Sequence, residues 1–324
     1  MLSSQIMQHF RIVKDWSSAG YFETAQLQQF ERDIRMAVLS GKLIAITGAV
    51  GAGKTAMLSR LQDRIASDKK IIVARSLSVD KQRLVLPSLI TALFLDISGD
   101  PEMKVPTQPE RRERMLQDQI RAARKPVVLF IDEAHDLHGA TLTGLKRLME
   151  MVDTGGGTLS VVLAGHPRLH NDLRRATMEE IGHRTIKFEF SSIADQRQEF
   201  LTWLLEQCLA EGVIPESVIE TEAQDFLAER LSTPLQFAEH LNRAFTDAYR
   251  MGADQVTREI VEETIAAGFD HLDARLSRIG YTPKTLSELT DTHLSEMRRF
   301  LKGKLDAERT EELSLVLRKA GLPI

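Results

Sequence analysis

Four short segments of this chain are apolar at nearly every position, and each predicts a buried β-strand. A fifth segment alternates apolar and polar residues, as a strand with one covered face does. The five segments are residues 42–47, 70–75, 126–131, 159–164 and 186–190. Between them, apolar residues recur at helical spacing, for example over 110–123 and 140–152. This alternation of strands and helices predicts a doubly wound α/β layer around a parallel sheet.

Outside these segments the apolar positions follow a helical period. Residues 1–40 show two helical patterns with a break near Gly20, and the chain after residue 194 contains no further strand pattern. A break at 280–283 precedes two amphipathic stretches. We therefore predict four parts, which are an N-terminal helical segment (1–40), an α/β nucleotide-binding domain (41–192), a helical lid domain (193–270) and a helical tail (271–324).

Composition limits the classes of partner. The 324 residues carry a net charge of -4, so any contact with nucleic acid needs a local basic surface. The single cysteine, Cys208, lies in an apolar helical stretch and is predicted to be a core residue, which suits a reducing cytosol. No apolar run approaches the roughly 18 residues that a membrane span needs. We expect a cytoplasmic protein that does not contact a membrane.

The first apolar run ends in a glycine-rich loop that opens a helix. Gly48, four further residues, then Gly53, Lys54 and Thr55 match the pattern G-x-x-x-x-G-K-[ST]. Such a loop points its backbone N–H groups at phosphate oxygens. Lys54 is expected to reach the β- and γ-phosphates, and the Thr55 hydroxyl to hold Mg²⁺. We therefore predict ATP and Mg²⁺ as cofactors, bound by Gly48, Gly51, Ala52, Gly53, Lys54, Thr55 and Ala56.

Two carboxylates, Asp132 and Glu133, directly follow the apolar run 127–131. They are expected at the carboxyl edge of the sheet, where open α/β folds bind ligands. Asp132 is predicted to hold Mg²⁺ with Thr55, largely through water. Glu133 is predicted to orient and deprotonate the water that attacks the γ-phosphate. The competing interpretation is a helix-capping Asp beside a surface Glu.

Other candidates follow or precede the remaining strands. His166 ends the fourth strand and is predicted to sense the γ-phosphate or position the attacking water, unless it is purely structural. Arg184 precedes the last strand and is our candidate for an arginine finger acting in a neighbouring subunit's site. Arg174 and Arg175 are alternatives, and surface salt bridging is the competing interpretation for all three. The aromatic pair at 21–22 flanks either the adenine base or a core.

Four motifs together resemble those of an AAA+ ATPase. They are GAVGAGKT at 48–55, VVLFIDEAHDL at 127–137, VVLAGHPRL at 161–169 and TPLQ at 233–236. More narrowly, residues 20–270 are similar to the ExeA-like branch and to the transposon target-selection ATPases (the MuB, TnsC and TniB group). The resemblance implies an AAA+ P-loop fold with a helical lid. It also implies an ATP-dependent homo-oligomer, a ring or a helical filament, that forms on duplex DNA, marks the insertion target and engages a transposase, with a target-selector protein as a further possible partner.

The start of the predicted lid helix departs from many of these relatives, which place an arginine after the proline. Here Thr233 and Pro234 suit an N-cap and a first helical position. Gln236 is expected to substitute partly for the absent arginine in contacting the nucleotide. The missing cation predicts slow hydrolysis, which suits a regulatory timer better than a motor.

Contacts to DNA are predicted from local charge alone. The candidate residues are Lys81, Arg83, Arg111, Arg112, Arg114, Lys146 and Arg147. Three arginines at a helix N-terminus are unfavourable because of the helix dipole, and phosphate binding would explain why they are placed there. The alternative is a solvated face on which Glu110, Glu113 and Asp118 pair with them. Contacts to the DNA backbone would give little sequence preference and a steep salt dependence.

Two rival functions stay open at this point. An ExeA-like ATPase would energise secretion or envelope assembly, and such relatives usually carry a membrane span and a wall-binding domain. A replication initiator or helicase loader would usually end in a helix-turn-helix, which the tail at 284–324 neither confirms nor excludes. The tail's basic residues either bind a partner or DNA, or belong to a segment that folds back on the lid. They are Arg298, Arg299, Lys302 and Lys304.

Overall fold

A computed structural model describes most of the chain. The described residues are 1–75, 85–100, 102–173, 181, 185–193, 195–266, 272–320 and 322, without the side chains of 274, 275, 278, 307 and 308. They divide into two compact units. The α/β unit comprises residues 24–48 and 54–190, and the helical unit comprises residues 1–23, 49–53 and 191–324. The four-part division proposed from the sequence stays a prediction.

Five parallel strands form one sheet in the α/β unit. They are β1 (Leu43–Thr47), β2 (Ile72–Arg75), β3 (Val127–Ile131), β4 (Leu159–Gly165) and β5 (Thr185–Glu189). The order across the sheet is β2-β3-β4-β1-β5, and every neighbouring pair is parallel. Strands β1, β3 and β4 are buried at every position, which explains their unbroken apolar runs. The predicted doubly wound α/β fold is confirmed.

The helices are numbered in chain order, and the first, α1 (Ser4–His9), belongs to the helical unit. The α/β unit then contains α2 (Ala25–Leu39), α3 (Lys54–Ser67), α4 (Leu86–Ser98), α5 (Pro109–Ala123), α6 (Gly139–Thr154) and α7 (Arg168–Asp172). Apolar side chains of α4, α5 and α6 pack with those of β3 and β4 into one core. This packing fixes the positions of the strands and therefore the positions of their carboxyl ends.

The helical unit continues with α8 (Arg197–Cys208), α9 (Thr221–Arg230), α10 (Pro234–Met251) and α11 (Arg258–Ala266). Their apolar faces pack with α1 and Trp16 into a second core. Phe10 contacts Phe245 edge to face, with 4.9 Å between the ring centroids. The first residues of the chain are therefore part of this unit's core.

The tail has a core of its own within the helical unit. Its helices are α12 (Leu272–Arg278), α13 (Pro283–Thr290), α14 (Leu294–Leu301) and α15 (Ala307–Lys319). Leu286, Met297, Phe300, Leu313 and Leu317 are fully or almost fully buried against one another. The amphipathic faces of the tail are therefore satisfied by each other. In the part of the chain that is described, no helix combines the length and apolar character needed to cross a bilayer.

Candidate nucleotide site

The order of the strands brings the candidate side chains to one edge of the sheet. Strand β4 lies between β1 and β3, and its register pairs Gly165 with Thr47 and Leu163 with Ile131. Gly48 after β1, the carboxylates after β3 and His166 after β4 are therefore neighbours. This edge is the place at which open α/β sheets bind ligands.

The loop after β1 has no room for larger residues at its first glycine. A Cβ added to Gly48 would lie 2.4 Å from the Phe190 carbonyl oxygen, and the Gly48 N–H donates to the Gly165 carbonyl at 3.2 Å. Gly51 and Gly53 have φ angles of +78° and +89°. Only glycine adopts this region readily, because it lacks a Cβ. The pattern of glycines is therefore what allows the loop to curl before α3.

Lys54, the first residue of α3, presents a buried cation beside this loop. Its side chain is 7% exposed, and its Nζ donates to the Gly48 carbonyl at 2.7 Å. Burial lowers the pKa of Lys54, while the nearby carboxylates of Glu133 and Asp132 raise it. A cation with little hydration interacts strongly with phosphate oxygens because its charge is poorly screened.

Thr55 and Asp132 form a pair of oxygen ligands. The Thr55 Oγ1 donates to Asp132 Oδ2 at 2.9 Å, and the other Asp132 oxygen accepts from the Glu133 N–H, also at 2.9 Å. Adjacent ligands of an octahedral Mg²⁺, with bonds of about 2.1 Å, are about 3 Å apart. The oxygen separation therefore fits Mg²⁺, and these two residues are the ones that would hold it.

Glu133 lies at a strained point of the backbone. Its φ of 55° and ψ of 35° place it in the left-handed region, between β3 and a short 3₁₀ turn. Such strain in a residue other than glycine costs about 1–3 kcal/mol and is concentrated at functional sites. The turn sets the Glu133 carboxylate beside two imidazoles, with Oε2 at 3.3 Å from His135 Nδ1 and 3.8 Å from His166 Nε2.

The rings of the two histidines are in contact, with their planes inclined at 53°, and both are largely buried. Their ring centroids are 3.9 Å apart, and the side chains of His135 and His166 are 10% and 17% exposed. Burial, the neighbouring His135 and the Lys54 cation lower the pKa of His166 to about 4. Burial is also the largest cause of the lowered pKa of His135. His166 is therefore neutral at pH 7.

His135 is a site residue that the sequence analysis missed. Gly165 allows the backbone of His135 to approach the end of β4 closely, because a Cβ at position 165 would lie 3.2 Å from the His135 backbone nitrogen. The sequence did contain a signal, since His135 is two residues after Glu133 and Gly165 directly precedes His166. What it could not show is that β3 and β4 are adjacent.

Residues 38–173 match the family described as AAA domain. The α/β unit has an AAA+ P-loop fold. Among curated proteins, the chain is 27% identical over 164 residues to General secretion pathway protein A of Aeromonas hydrophila. That match covers 48% of this chain and only 28% of the relative, so the matched region spans little more than a quarter of that protein's length.

Solved AAA+ structures share the fold at low sequence identity. The Aeropyrum pernix ORC2 protein in its ADP form has a TM-score of 0.55 and 15% identity, covering 98% of this chain and 90% of that one. CDC6P from Pyrobaculum aerophilum has a TM-score of 0.54 and 17% identity, with 96% and 91% covered. Drosophila ORC bound to DNA has a TM-score of 0.52 and 13% identity, with 97% and 83% covered. These likenesses establish the fold alone.

At the start of α10, the Gln236 side chain forms hydrogen bonds with the backbone. Thr233 and Gln236 form a capping box, in which Gln236 Oε1 accepts from the N–H groups of Ser232 (2.7 Å) and Thr233 (3.2 Å). Within the helical unit, the Leu235 N–H also donates to the Gly51 carbonyl of the glycine loop at 3.3 Å. The assignment of Gln236 to nucleotide binding stays a prediction.

Phe22 packs among the aromatic residues of α8. Its ring centroid is 5.5 Å from that of Phe200 and 5.3 Å from that of Trp203. This environment agrees with the core interpretation of the aromatic pair at 21–22.

The structure describes only some of the predicted DNA and trans-acting residues. Those outside the described residues are Lys81, Arg83, Arg174, Arg175 and Arg184. On α5, Arg111 and Arg114 are exposed and Arg112 is half-buried, and none of the three forms an ion pair with any described residue. Arg147 on α6 is exposed, whereas the Lys146 side chain is 14% exposed, with its Nζ 3.5 Å from Glu150 Oε1. The DNA-binding assignments stay predictions.

Proposed function

We propose that this chain is an AAA+ ATPase of DNA transposition that binds ATP and Mg²⁺ and assembles on duplex DNA. In this proposal the oligomer recruits a transposase and comes apart on hydrolysis. The observation that carries the ATPase part is the grouping of a buried Lys54, the Thr55–Asp132 oxygen pair and Glu133 at one sheet edge. The transposition part rests on the resemblance of two motifs, the Gly165-His166-Pro167 turn and the Thr233-Pro234 helix start, to those of the target-selection ATPases.

Three side chains of the site have different roles in the proposed hydrolysis. The buried Lys54 ammonium binds the β- and γ-phosphate oxygens and stabilises the charge that develops on them. Glu133 accepts a proton from the attacking water. His166 is neutral at pH 7, so it donates a hydrogen bond near the γ-phosphate without adding charge. Thr55 and Asp132 would hold Mg²⁺, which would neutralise charge on the phosphates.

Binding to DNA is supported by the arginines at the start of α5. Three arginines within four positions, with no partner carboxylate among the described residues, form a local basic surface on a chain with a net charge of -4. Phosphate would provide the missing counter-charge and offset the unfavourable position at the helix N-terminus. A relative of the same fold, Drosophila ORC, is bound to DNA in its structure.

The first experiment removes the Lys54 ammonium. In a gel-shift assay on random-sequence duplex, the wild-type chain should bind DNA only with ATP, and Lys54→Ala should lose that binding. Lys125→Ala removes an exposed lysine outside the site and serves as the matched control. ATP-dependent binding by Lys54→Ala equal to that of the wild type would reject the site assignment.

The second experiment locates the DNA surface. Arg111, Arg112 and Arg114 are replaced by alanine, and affinity for duplex is measured against salt concentration. For every arginine that binds a phosphate, its removal should reduce the slope of log K against log salt by about 0.9. The comparison variant carries alanine at Arg298 and Arg299, which are exposed on the tail. An effect confined to the tail variant would instead favour a replication initiator or helicase loader that binds DNA through α13 and α14.

A second candidate function is that of an ATPase in secretion or envelope assembly. The observation that favours it is the match to General secretion pathway protein A over 48% of this chain. This candidate predicts ATP hydrolysis without any ATP-dependent gel shift on duplex DNA. Loss of both activities in Lys54→Ala, with DNA binding present in the wild type, would exclude it.

A further inference from the structure

We propose that Glu133, His135 and His166 form a binding site for a transition-metal dication such as Zn²⁺, separate from the Thr55–Asp132 pair that suits Mg²⁺. One ligand atom from each of the three residues lies within 4.8 Å of the other two. Metal binding at this cluster does not depend on the proposed function. Only its consequence for hydrolysis does.

The spacing of the three groups fits a tetrahedral ion. Glu133 Oε2 is 3.3 Å from His135 Nδ1 and 3.8 Å from His166 Nε2. A tetrahedral Zn²⁺ with bonds of about 2.0–2.1 Å has ligands about 3.3–3.4 Å apart. One separation already has this value, a small rotation of the His166 ring would bring the second to it, and all three ligand atoms lie within 4.8 Å of one another. Three protein ligands leave a fourth position for water.

The hydrogen bonding of the His135 ring is also consistent with a metal ligand. His135 Nδ1 is buried and makes no hydrogen bond within the described part of the chain. A buried polar atom without a partner calls for an explanation such as a bound ion.

The surroundings support a dication. Asp132 and Asp136 add two carboxylates to that of Glu133, whereas the nearby cations are Lys54 and Arg168, and Arg168 Nε is 3.4 Å from Asp172. His135 Nε2 is 3.8 Å from Asp136 Oδ1, so a carboxylate also lies beside the other nitrogen of this ring. Two imidazoles and one carboxylate favour Zn²⁺ over the oxygen-seeking Mg²⁺.

The consequence follows from the role of Glu133. A carboxylate that is bound to Zn²⁺ cannot accept the proton of the attacking water. Filling the site is therefore expected to stop hydrolysis while the glycine loop and Lys54 continue to bind nucleotide. The cluster would act as an inhibitory metal site within the nucleotide pocket.

The test is calorimetric titration of the nucleotide-free full chain with Zn²⁺, repeated with Co²⁺ to record the visible bands of tetrahedral cobalt. His135→Gln and His166→Gln should each weaken Zn²⁺ binding by at least about 100-fold, because loss of an outer-shell partner alone costs 10–100-fold. Glu133→Gln should also weaken it. His138→Asn is the control, since His138 is exposed and caps α6, and asparagine retains the cap.

Zn²⁺ affinity in both histidine variants equal to that of the wild type would overturn the proposal, as would binding that excess Mg²⁺ displaces. Thermal denaturation of each variant verifies that the fold is retained, and Glu133→Gln tests the site with both histidines in place. A specific Zn²⁺ site in a chain that never hydrolyses ATP would keep this inference and reject the proposed function. ATP hydrolysis without specific Zn²⁺ binding would do the reverse.

Discussion

Gly48 is a residue at which a single added carbon would disturb the site. The obstacle to a Cβ is the Phe190 carbonyl oxygen at 2.4 Å, and backbone atoms cannot move aside as a side chain can. We expect Gly48→Ala to cost at least the 1–3 kcal/mol or so that is typical of overpacking. ATP affinity should fall because the loop is displaced. Urea denaturation and ATP titration measure the two effects, and wild-type values for both would contradict the steric argument.

Cys208 is expected to be unreactive in the folded chain. Burial raises the pKa of its thiol from 9.0 to about 11. At pH 9 the folded thiolate fraction is therefore about 50-fold below that of the unfolded chain, and alkylation should be slower by at least that factor. The raised pKa also means that this group's contribution to stability is complete below pH 9 and is lost as the pH rises towards 11.

The measurement for Cys208 compares the rate of iodoacetamide labelling at pH 9 in buffer and in urea. Cys208→Ser provides the blank, because the chain has one cysteine. Equal rates in the two conditions would show that the thiol is accessible.

At the scale of single elements, the start of α10 depends on its capping box. Thr233→Ala removes the acceptor for the Gln236 N–H and should cost about 1–2 kcal/mol of unfolding free energy. Gln236→Ala should cost a similar amount, since it removes the acceptor of the Ser232 and Thr233 N–H groups, and Thr233 is buried. The double variant should lose less unfolding free energy than the two single variants lose together, because both residues belong to one cap. Additive losses in chemical denaturation would contradict a shared cap.

Thr282→Ala is the matched control for that series. Thr282 caps α13 through a capping box with Thr285, so it removes the same chemistry from the tail. Any effect of the α10 variants on ATP binding should be absent from this one. An equal effect on ATP binding would mean that general destabilisation, rather than the position of α10, is responsible.

At the scale of the whole molecule, the proposal requires copies of the chain to assemble with ATP on DNA. Glu133→Gln keeps the size of the side chain but cannot accept a proton, so it should accumulate a long-lived ATP-bound oligomer. Light scattering and electron microscopy with ATP and duplex would detect it. A chain that stays a single subunit under these conditions would refute assembly, and rapid turnover by Glu133→Gln would refute its role as the base.

The sequence by itself determined the features that depend on nearby residues. The apolar runs predicted β1, β3 and β4, and the spacing of Gly48, Gly53, Lys54 and Thr55 predicted the loop that opens α3. Thr233 and Pro234 predicted the start of α10, which the structure confirms. These predictions are possible because strand periodicity, loop sterics and helix capping involve residues a few positions apart.

Only the tertiary structure decided which strand ends are neighbours. Pairing between strands joins residues far apart in the chain, and no local pattern specifies it. Because β4 lies between β1 and β3, His166 meets Glu133 and His135 is enclosed with them, which makes the metal cluster. In the same way, the sequence showed the apolar faces of α13, α14 and α15. It did not show that these faces pack against one another. Many surfaces can bury an apolar face, and the folded chain selects one of them.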